Sequence, residues 1–361
     1  MQIQLVENHA DFMRLESAWR ELAQRCGARV FQRFEWAHAW FSTLGRRDNH
    51  GLCVVTGWDG SRLVAVLPLT IRRYKGIWLA EWMGARTGDY FDALIDPQLD
   101  RIRSVDLLWN ALCRGKIDIA RFGQVRTDAL IYPWLEQQGA WVETHEETVG
   151  IPIVWGSGQQ WLEAKSASQR SKFRNRARKF ASLGLTFKVW QASEPLDPLL
   201  DFLIEHKRAW LQAHSEDGYL MTEDGADFLR DMCRSLAARG VLHVSYIRSQ
   251  DAIAACHVGF LQDDILYYYM PTYDKKLMKH SVGTELLDRL VMWACDQGLQ
   301  RLDMLRGMYA YKERYEISSE SLQTRTLAVS SVGQVALSAY QLARRWQHAR
   351  PKASAERASA A

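Results

Sequence analysis

Read for the spacing of its apolar residues, the 361-residue chain runs through one order of elements twice: strand, two helices, three strands, helix, strand, helix, strand. In the first half, residues 3–6 read as a strand. Residues 11–25 carry Phe12, Leu15, Trp19, Leu22 and Ala23 at helical spacing, and a second helix follows at 35–44. Two apolar, β-rich runs at 52–58 and 62–69 are separated by Asp59-Gly60-Ser61, where the Asp-Gly pair is a hairpin signal, and a strand at 77–82 completes an antiparallel meander. The polar segment Thr87-Gly88-Asp89-Tyr90-Phe91-Asp92 then leads into an apolar run at 93–95. A helix at 99–112, a strand at 117–121, a short helix at 129–137 and a strand near Trp141 close the half.

The second half gives a strand at 185–190, helices at 199–214 and 224–239, and a strand at 241–247. Gln250-Asp251 and Asp263-Asp264 turn the chain into strands at 253–261 and 265–270. Residues 283–297 form a helix with Leu286, Leu287, Leu290, Val291 and Ala294 on one stripe, stopped by Gly298. A strand at 302–305, a helical turn at 309–315 and a strand at 322–329 follow. Pro and Gly cluster at 150–158, which puts the boundary between two domains there: 1–150 and 151–335. Residues 341–361 are small and polar and are expected to form a flexible tail.

Composition narrows the function. The net charge of +4 is too small to argue for nucleic acid, so any such case rests on a local patch. The six cysteines are scattered, form no C-x-x-C pair and sit mostly in apolar runs, as buried thiols of a reducing compartment do. With no signal-like start and no long apolar run, a cytoplasmic protein without an integral membrane segment is expected. Of the 15 Trp, nine precede Gly150 and are read as core and acceptor-side surface.

The sharpest local pattern is His280-Ser281-Val282-Gly283-Thr284, between a strand and the apolar helix. A helix start offers unpaired N–H groups and a positive dipole end, and a glycine admits a ligand to the backbone, so Ser281, Val282, Gly283 and Thr284 suit a pyrophosphate; ordinary capping by the serine is the alternative. Between Ser168 and Gly184, six basic residues accompany the stripe Phe173, Ala177, Phe180 and Ala181. That helix either docks with a solvated charged face or meets an anionic partner. In Tyr267-Tyr268-Tyr269 alternate rings face opposite sides of the sheet, and Tyr269 is a candidate for the cleft.

Downstream, Asp303 ends a strand and is followed by Arg306, Gly307 and Tyr311-Lys312-x-x-Tyr315. This order resembles the closing region of the GNAT acyltransferase superfamily, in the branch of cellulose-biosynthesis acetyltransferase-like proteins and, more distantly, the FemABX peptidyltransferases. The basic segment at 168–184 and Glu205-His206-Lys207-Arg208-Ala209-Trp210 are similar to segments of the same branch. The resemblance implies an α/β (α+β) fold of two tandem GNAT-like domains, each a mixed, mostly antiparallel sheet flanked by helices, the first degenerate and without a glycine in its corresponding helix start at 98–103. It implies acyl-CoA as co-substrate, acetyl-CoA first, no metal, and an amine acceptor such as an amino sugar of exopolysaccharide or envelope synthesis. Tyr311 is the candidate acid for the departing thiolate; Lys312, positioned by Asp303, is the candidate contact to an anionic group; His206 and His257 are candidate bases. Trp210, Tyr269 and Arg306 complete the set as substrate-binding residues. Aminoacyl transfer from charged tRNA and a non-catalytic scaffold of polysaccharide synthesis stand as alternatives.

Overall fold

The computed structural model describes residues 1–113, 116–307 and 309–349. The first half comprises β1 (Gln2–Val6), α1 (His9–Arg14), α2 (Glu16–Arg25), α3 (Phe34–Trp40), β2 (Gly51–Asp59), β3 (Arg62–Tyr74), β4 (Ile77–Trp82), β5 (Leu94–Ile95), α4 (Arg101–Leu112), β6 (Ile119–Arg126), α5 (Tyr132–Gln137) and β7 (Trp141–Pro152). The second comprises α6 (Gly158–Ala164), α7 (Ala167–Ser182), β8 (Thr186–Val189), α8 (Asp197–His214), α9 (Glu223–Ala237), β9 (Leu242–Arg248), β10 (Ile253–Gln262), β11 (Ile265–Tyr273), α10 (Val282–Asp296), β12 (Arg301–Arg306), β13 (Ser318–Ala328) and α11 (Ser331–Ala349).

The described strands form one mixed sheet in the order β1-β2-β3-β4-β6-β13-β7-β12-β11-β10-β9-β8, with β5 paired to β3 alone. The expected mixed, mostly antiparallel sheet flanked by helices is therefore observed, with both halves fused edge to edge. Two pairings are parallel, β4 with β6 and β11 with β12, and each spans three residue pairs before the strands part. The helices α4 and α10 make those two crossovers. The last strand, β13, returns to lie between β6 and β7, while β7 lies between β13 and β12. No local pattern announces that exchange, because strand pairing is set by distant partners.

Local chemistry accounts for the turns. Asp263 and Asp264 both have positive φ, 51° and 58°, the geometry of the two-residue turn whose twist matches a hairpin, and they join β10 to β11. The core packs aromatic residues of the first half densely: Trp19, Trp36, Trp40, Trp82 and Trp134 are buried. All six cysteines are unpaired, and Cys53, Cys233, Cys256 and Cys295 are buried. Among the described residues no helix is long and apolar enough to cross a membrane.

Three expectations are corrected. The helix at 11–25 is broken at Leu15 into α1 and α2. The helical turn at 309–315 shrinks to a 3-10 turn at Lys312–Arg314. The chain from 341 to 349 is helical rather than tail-like, because Leu337 of α11 packs on Leu79 and Ile119 and Tyr340 Oη donates to Glu143 at 3.2 Å. Residues 350–361 lie outside the described ones.

Candidate active site

Strands β11 and β12 pair only through Ile265↔Arg301, Leu266↔Leu302 and Tyr267↔Asp303. Beyond Tyr267 they diverge, and a cleft of about 720 Å³ opens between them, floored by β11 and closed by α8, the start of α10 and residues 304–306 and 309–315. The β11 edge that faced β12 is left unpaired there. N–H groups along a strand alternate between its two edges, so past the last pair those of β11 that face this edge, Pro271 having none, point into the opening.

The kink that separates the strands is built by Asp303 and Lys312. Leu305 has φ of +59°, the left-handed region that a leucine avoids, and the register against β7 shifts between Asp303 and Arg306. Asp303 accepts the Leu305 N–H at 2.8 Å. Lys312 Nζ donates to the carbonyls of Met304 at 2.8 Å, Arg306 at 3.0 Å and Leu305 at 3.4 Å. Lys312 is 2% exposed, and burial pulls its ammonium down to about 8. All three donors of the ammonium are thus taken by main chain, and the lysine holds the strand end open rather than presenting a charge to the cleft. Gly307 fits the same corner: its φ is +86°, and a Cβ there would stand 2.8 Å from the Tyr309 ring.

The start of α10 differs from those of α4, α7 and α9. Asp100 caps α4, Ser166 caps α7 in a reciprocal box with Gln169, and Thr222 caps α9. Ser281 occupies the N-cap of α10 in a left-handed conformation, φ 56°, and makes no side-chain cap bond. The first recorded bond of the turn is Glu285 N–H to Ser281 O at 3.0 Å. The N–H groups of Val282, Gly283 and Thr284 therefore remain available beside the cleft, which all four residues line. Val282 is buried, so only its main chain can serve. A Cβ on Gly283 would stand 3.1 Å from the Tyr273 ring, which explains the glycine by close approach.

The remaining sequence candidates divide. His206, Trp210, Tyr269, Arg306 and Tyr311 line the cleft. His206 Nδ1 lies 3.0 Å from Phe202 O, a carbonyl that accepts from the Nδ1–H tautomer, in which Nε2 is the acceptor. The Tyr311 phenol is pushed up to about 12 by burial, so it stays protonated. Tyr269 Oη donates to Thr87 O at 2.7 Å and sits 2.9 Å from Tyr219 Oη. Arg306 Nε pairs with Asp89 at 2.6 Å, and burial raises the Asp89 carboxyl against the pull of that guanidinium. His257 is apart: it is buried in β10, stacked on Tyr268 at 4.4 Å, with Nδ1 3.3 Å from Ser245 Oγ and no place in the cleft lining. Burial drives its imidazole well below the ordinary value.

Sequence reasoning overlooked Asp89, Tyr219 and Lys207. The polar segment at 87–92 was the available signal for Asp89. Lys207 lines the cleft 4.6 Å from the Trp210 ring, and burial lowers its ammonium. Nothing in a helix surface pattern distinguishes it from a solvated lysine.

Residues 167–313 match the family model of the acetyltransferase (GNAT) domain. No curated protein matches the sequence. Among solved structures, FemX is similar over 90% of this chain and 97% of its own at 9% identity, with a TM-score of 0.60. The C-terminal DUF2156 domain of a protein named as a lysylphosphatidylglycerol synthetase, from Agrobacterium fabrum, is similar over 92% and 97% at 13% identity, TM-score 0.57. L-PGS from Bacillus licheniformis is similar over 91% and 96% at 13% identity, TM-score 0.56. At such identities the likeness is one of fold, and it extends over both halves. The segment similar to an acetyltransferase (GNAT) domain, residues 167–313, is the one that contains β11, β12 and the start of α10 around the cleft.

Proposed function

We propose that the chain transfers an acyl group from acyl-CoA, acetyl-CoA first among donors, to an amine held in the cleft between β11 and β12. The observation that carries this reading is the uncapped first turn of α10, whose three free N–H groups and positive dipole end border a cleft wide enough for an extended ligand. These residues fit a pyrophosphate, and Gly283 removes the side chain that would meet Tyr273. The co-substrate supplies the activated thioester.

The chain's own groups divide the remaining work. His206 Nε2 accepts the proton of the attacking amine, the unpaired β11 N–H groups donate to the developing oxyanion, and Tyr311 Oη donates its proton to the leaving sulfur. Asp303 and Lys312 act through the main chain, by keeping the strands apart. Trp210, Tyr269 and Arg306 contact the substrates. An amino sugar of exopolysaccharide or envelope synthesis is the acceptor class to which the cellulose-biosynthesis resemblance points. A second groove of about 1070 Å³ reaches the cleft at Arg306 and offers it a path, with Trp40, Tyr74, Thr324 and Thr326 among its lining.

Calorimetry with CoA and acetyl-CoA tests the donor: folded protein that binds neither overturns it. Aminoacyl transfer from charged tRNA is the second reading, favoured by the exposed Lys172, Arg174, Arg178 and Lys179 of α7 and by the fold shared with FemX. Binding to tRNA that weakens steeply as salt rises would support it.

A further inference from the structure

Helix α11 is held to the sheet along one line of residues and is bare along another. Gly333, Leu337, Tyr340 and Arg344, spaced by three and four, make the inner line. A Cβ on Gly333 would collide with the Asp118 carbonyl, Leu337 packs on Leu79 and Ile119, the Tyr340 ring meets Trp141 edge-on at 5.8 Å, and Arg344 Nη1 donates to Glu143 O. These contacts fix the rotation of the helix about its own axis. About 150° round that axis, Val332, Val335, Ala339, Leu342 and Trp346 form the second line, within an arc of about 80°.

That second line points away from the protein. Val332, Val335, Leu342 and Trp346 are 58%, 73%, 57% and 68% exposed, and Ala339 between them is exposed too. Single apolar residues on a surface need no explanation, but an unbroken stripe over about four helical turns does. The charge around it has one sign. Helix α11 contains no Asp or Glu, Arg345 stands exposed on the polar edge of the stripe, and residues 350–361 add Arg350, Lys352 and Arg357 against Glu356. The β3–β4 turn, which borders the same groove of about 1070 Å³ as α11, exposes Arg73, Tyr74 and Lys75.

An apolar stripe ending in a tryptophan, edged by cations and free of carboxylates, suits a helix lying at the boundary between lipid headgroups and acyl chains. A second copy of the chain would bring the same cations and no carboxylate to pair with them, so charge favours an anionic partner. We propose that the outer stripe of α11 docks on a bilayer surface that carries anionic lipid, with Val332, Val335, Leu342 and Trp346 entering the acyl boundary and Arg345 meeting the headgroup phosphates. The helix lies on the bilayer; none of the described helices is long and apolar enough to cross it. Ala336, Leu337 and Tyr340 of the same helix line the groove of about 1070 Å³, so docking brings that groove to the bilayer surface. The docking does not depend on which acyl donor the cleft takes.

The test is flotation of the full chain with vesicles of phosphatidylcholine alone and of phosphatidylcholine with about 30% phosphatidylglycerol. It compares the natural protein with Arg345→Glu and with the double variant Leu342→Ser, Trp346→Ser. All three residues are exposed, so folding is expected to survive; circular dichroism verifies it, and sedimentation gives the oligomeric state. The natural protein is expected to partition onto the anionic vesicles at least about tenfold more than onto the neutral ones. The double variant is expected to lose at least about tenfold of that partition through its apolar contacts, and Arg345→Glu about tenfold through charge. Folded protein that floats with neither vesicle overturns the proposal. Equal binding of the natural protein and the double variant to anionic vesicles also overturns it, and gives the charge reading to another basic surface such as α7. Self-association that the double variant abolishes, with no flotation, overturns it in favour of a second copy on the stripe.

Discussion

The Tyr90 hydroxyl donates to the Asp303 carboxylate at 2.7 Å, tying a loop of the first half to the strand whose kink opens the cleft in the second. Both residues are buried, and Asp303 also lies 3.7 Å from Arg301 and 3.9 Å from Arg126. The two halves therefore share one polar junction behind the cleft. Tyr90→Phe removes a hydrogen bond to a charged group and is expected to destabilise the protein by about 1.5–3 kcal/mol. Urea unfolding measures it. A loss under 0.5 kcal/mol would mean that the Leu305 N–H and the guanidinium groups hold Asp303 without the tyrosine.

Lys312 separates a structural from a chemical role. Lys312→Met leaves three buried carbonyls without their donor, and a loss of about 2–5 kcal/mol is expected. The pH dependence gives an independent check. Burial lowers the folded ammonium to about 8, beneath the ordinary lysine value of about 10.4. Between those two values the unfolded chain binds more protons than the folded one, so this residue makes unfolding free energy rise with pH through that window. The rise should be missing in Lys312→Met. An equal slope in both proteins would contradict the assignment.

Much of the scaffold was legible because its signals are local. The Asp59-Gly60 turn, the Asp263-Asp264 turn and the apolar stripe of α10 each follow from neighbours within a few residues, and β2, β3, β10, β11 and α10 lie where those signals put them. The motif Asp303, Gly307 and Lys312 was also visible, yet its purpose was not. Only the folded chain brings Lys312 Nζ to the carbonyls of residues 304–306, and a lysine in sequence reads equally as an anion contact. The insertion of β13 between β6 and β7, the Arg306–Asp89 pair and the Tyr90–Asp303 bond join residues up to 217 positions apart, beyond any periodicity. His257 illustrates the converse: its residue type suggested chemistry, while its position on a strand buried on both faces removed it from the cleft.

Gly283 tests the proposed phosphate site at the start of α10. A Cβ there stands 3.1 Å from the Tyr273 ring, and a β-branched side chain adds bulk at that contact. Gly283→Val is expected to raise the KM for the acyl donor at least about tenfold while the acceptor KM stays within about twofold. Unchanged donor KM in a variant with native unfolding behaviour would remove this helix start from the donor site.

Tyr311 is the last group to assign. Its phenol lines the cleft and, pushed up to about 12 by burial, keeps its proton through neutral pH, as a general acid requires. Loss of such a donor typically lowers turnover by about 10²–10⁴. Tyr311→Phe preserves the ring and its stacking on Tyr309, at 6.1 Å between centroids, so packing should change little. The expected signature is a fall of that size in kcat with donor and acceptor KM nearly constant, which marks an interaction made only in the transition state. The natural enzyme should show no loss of kcat assignable to Tyr311 below about pH 11, because the group does not ionise there. If Tyr311→Phe retains more than half of kcat, the leaving thiolate takes its proton elsewhere, and Tyr311 serves the cleft as an aromatic wall.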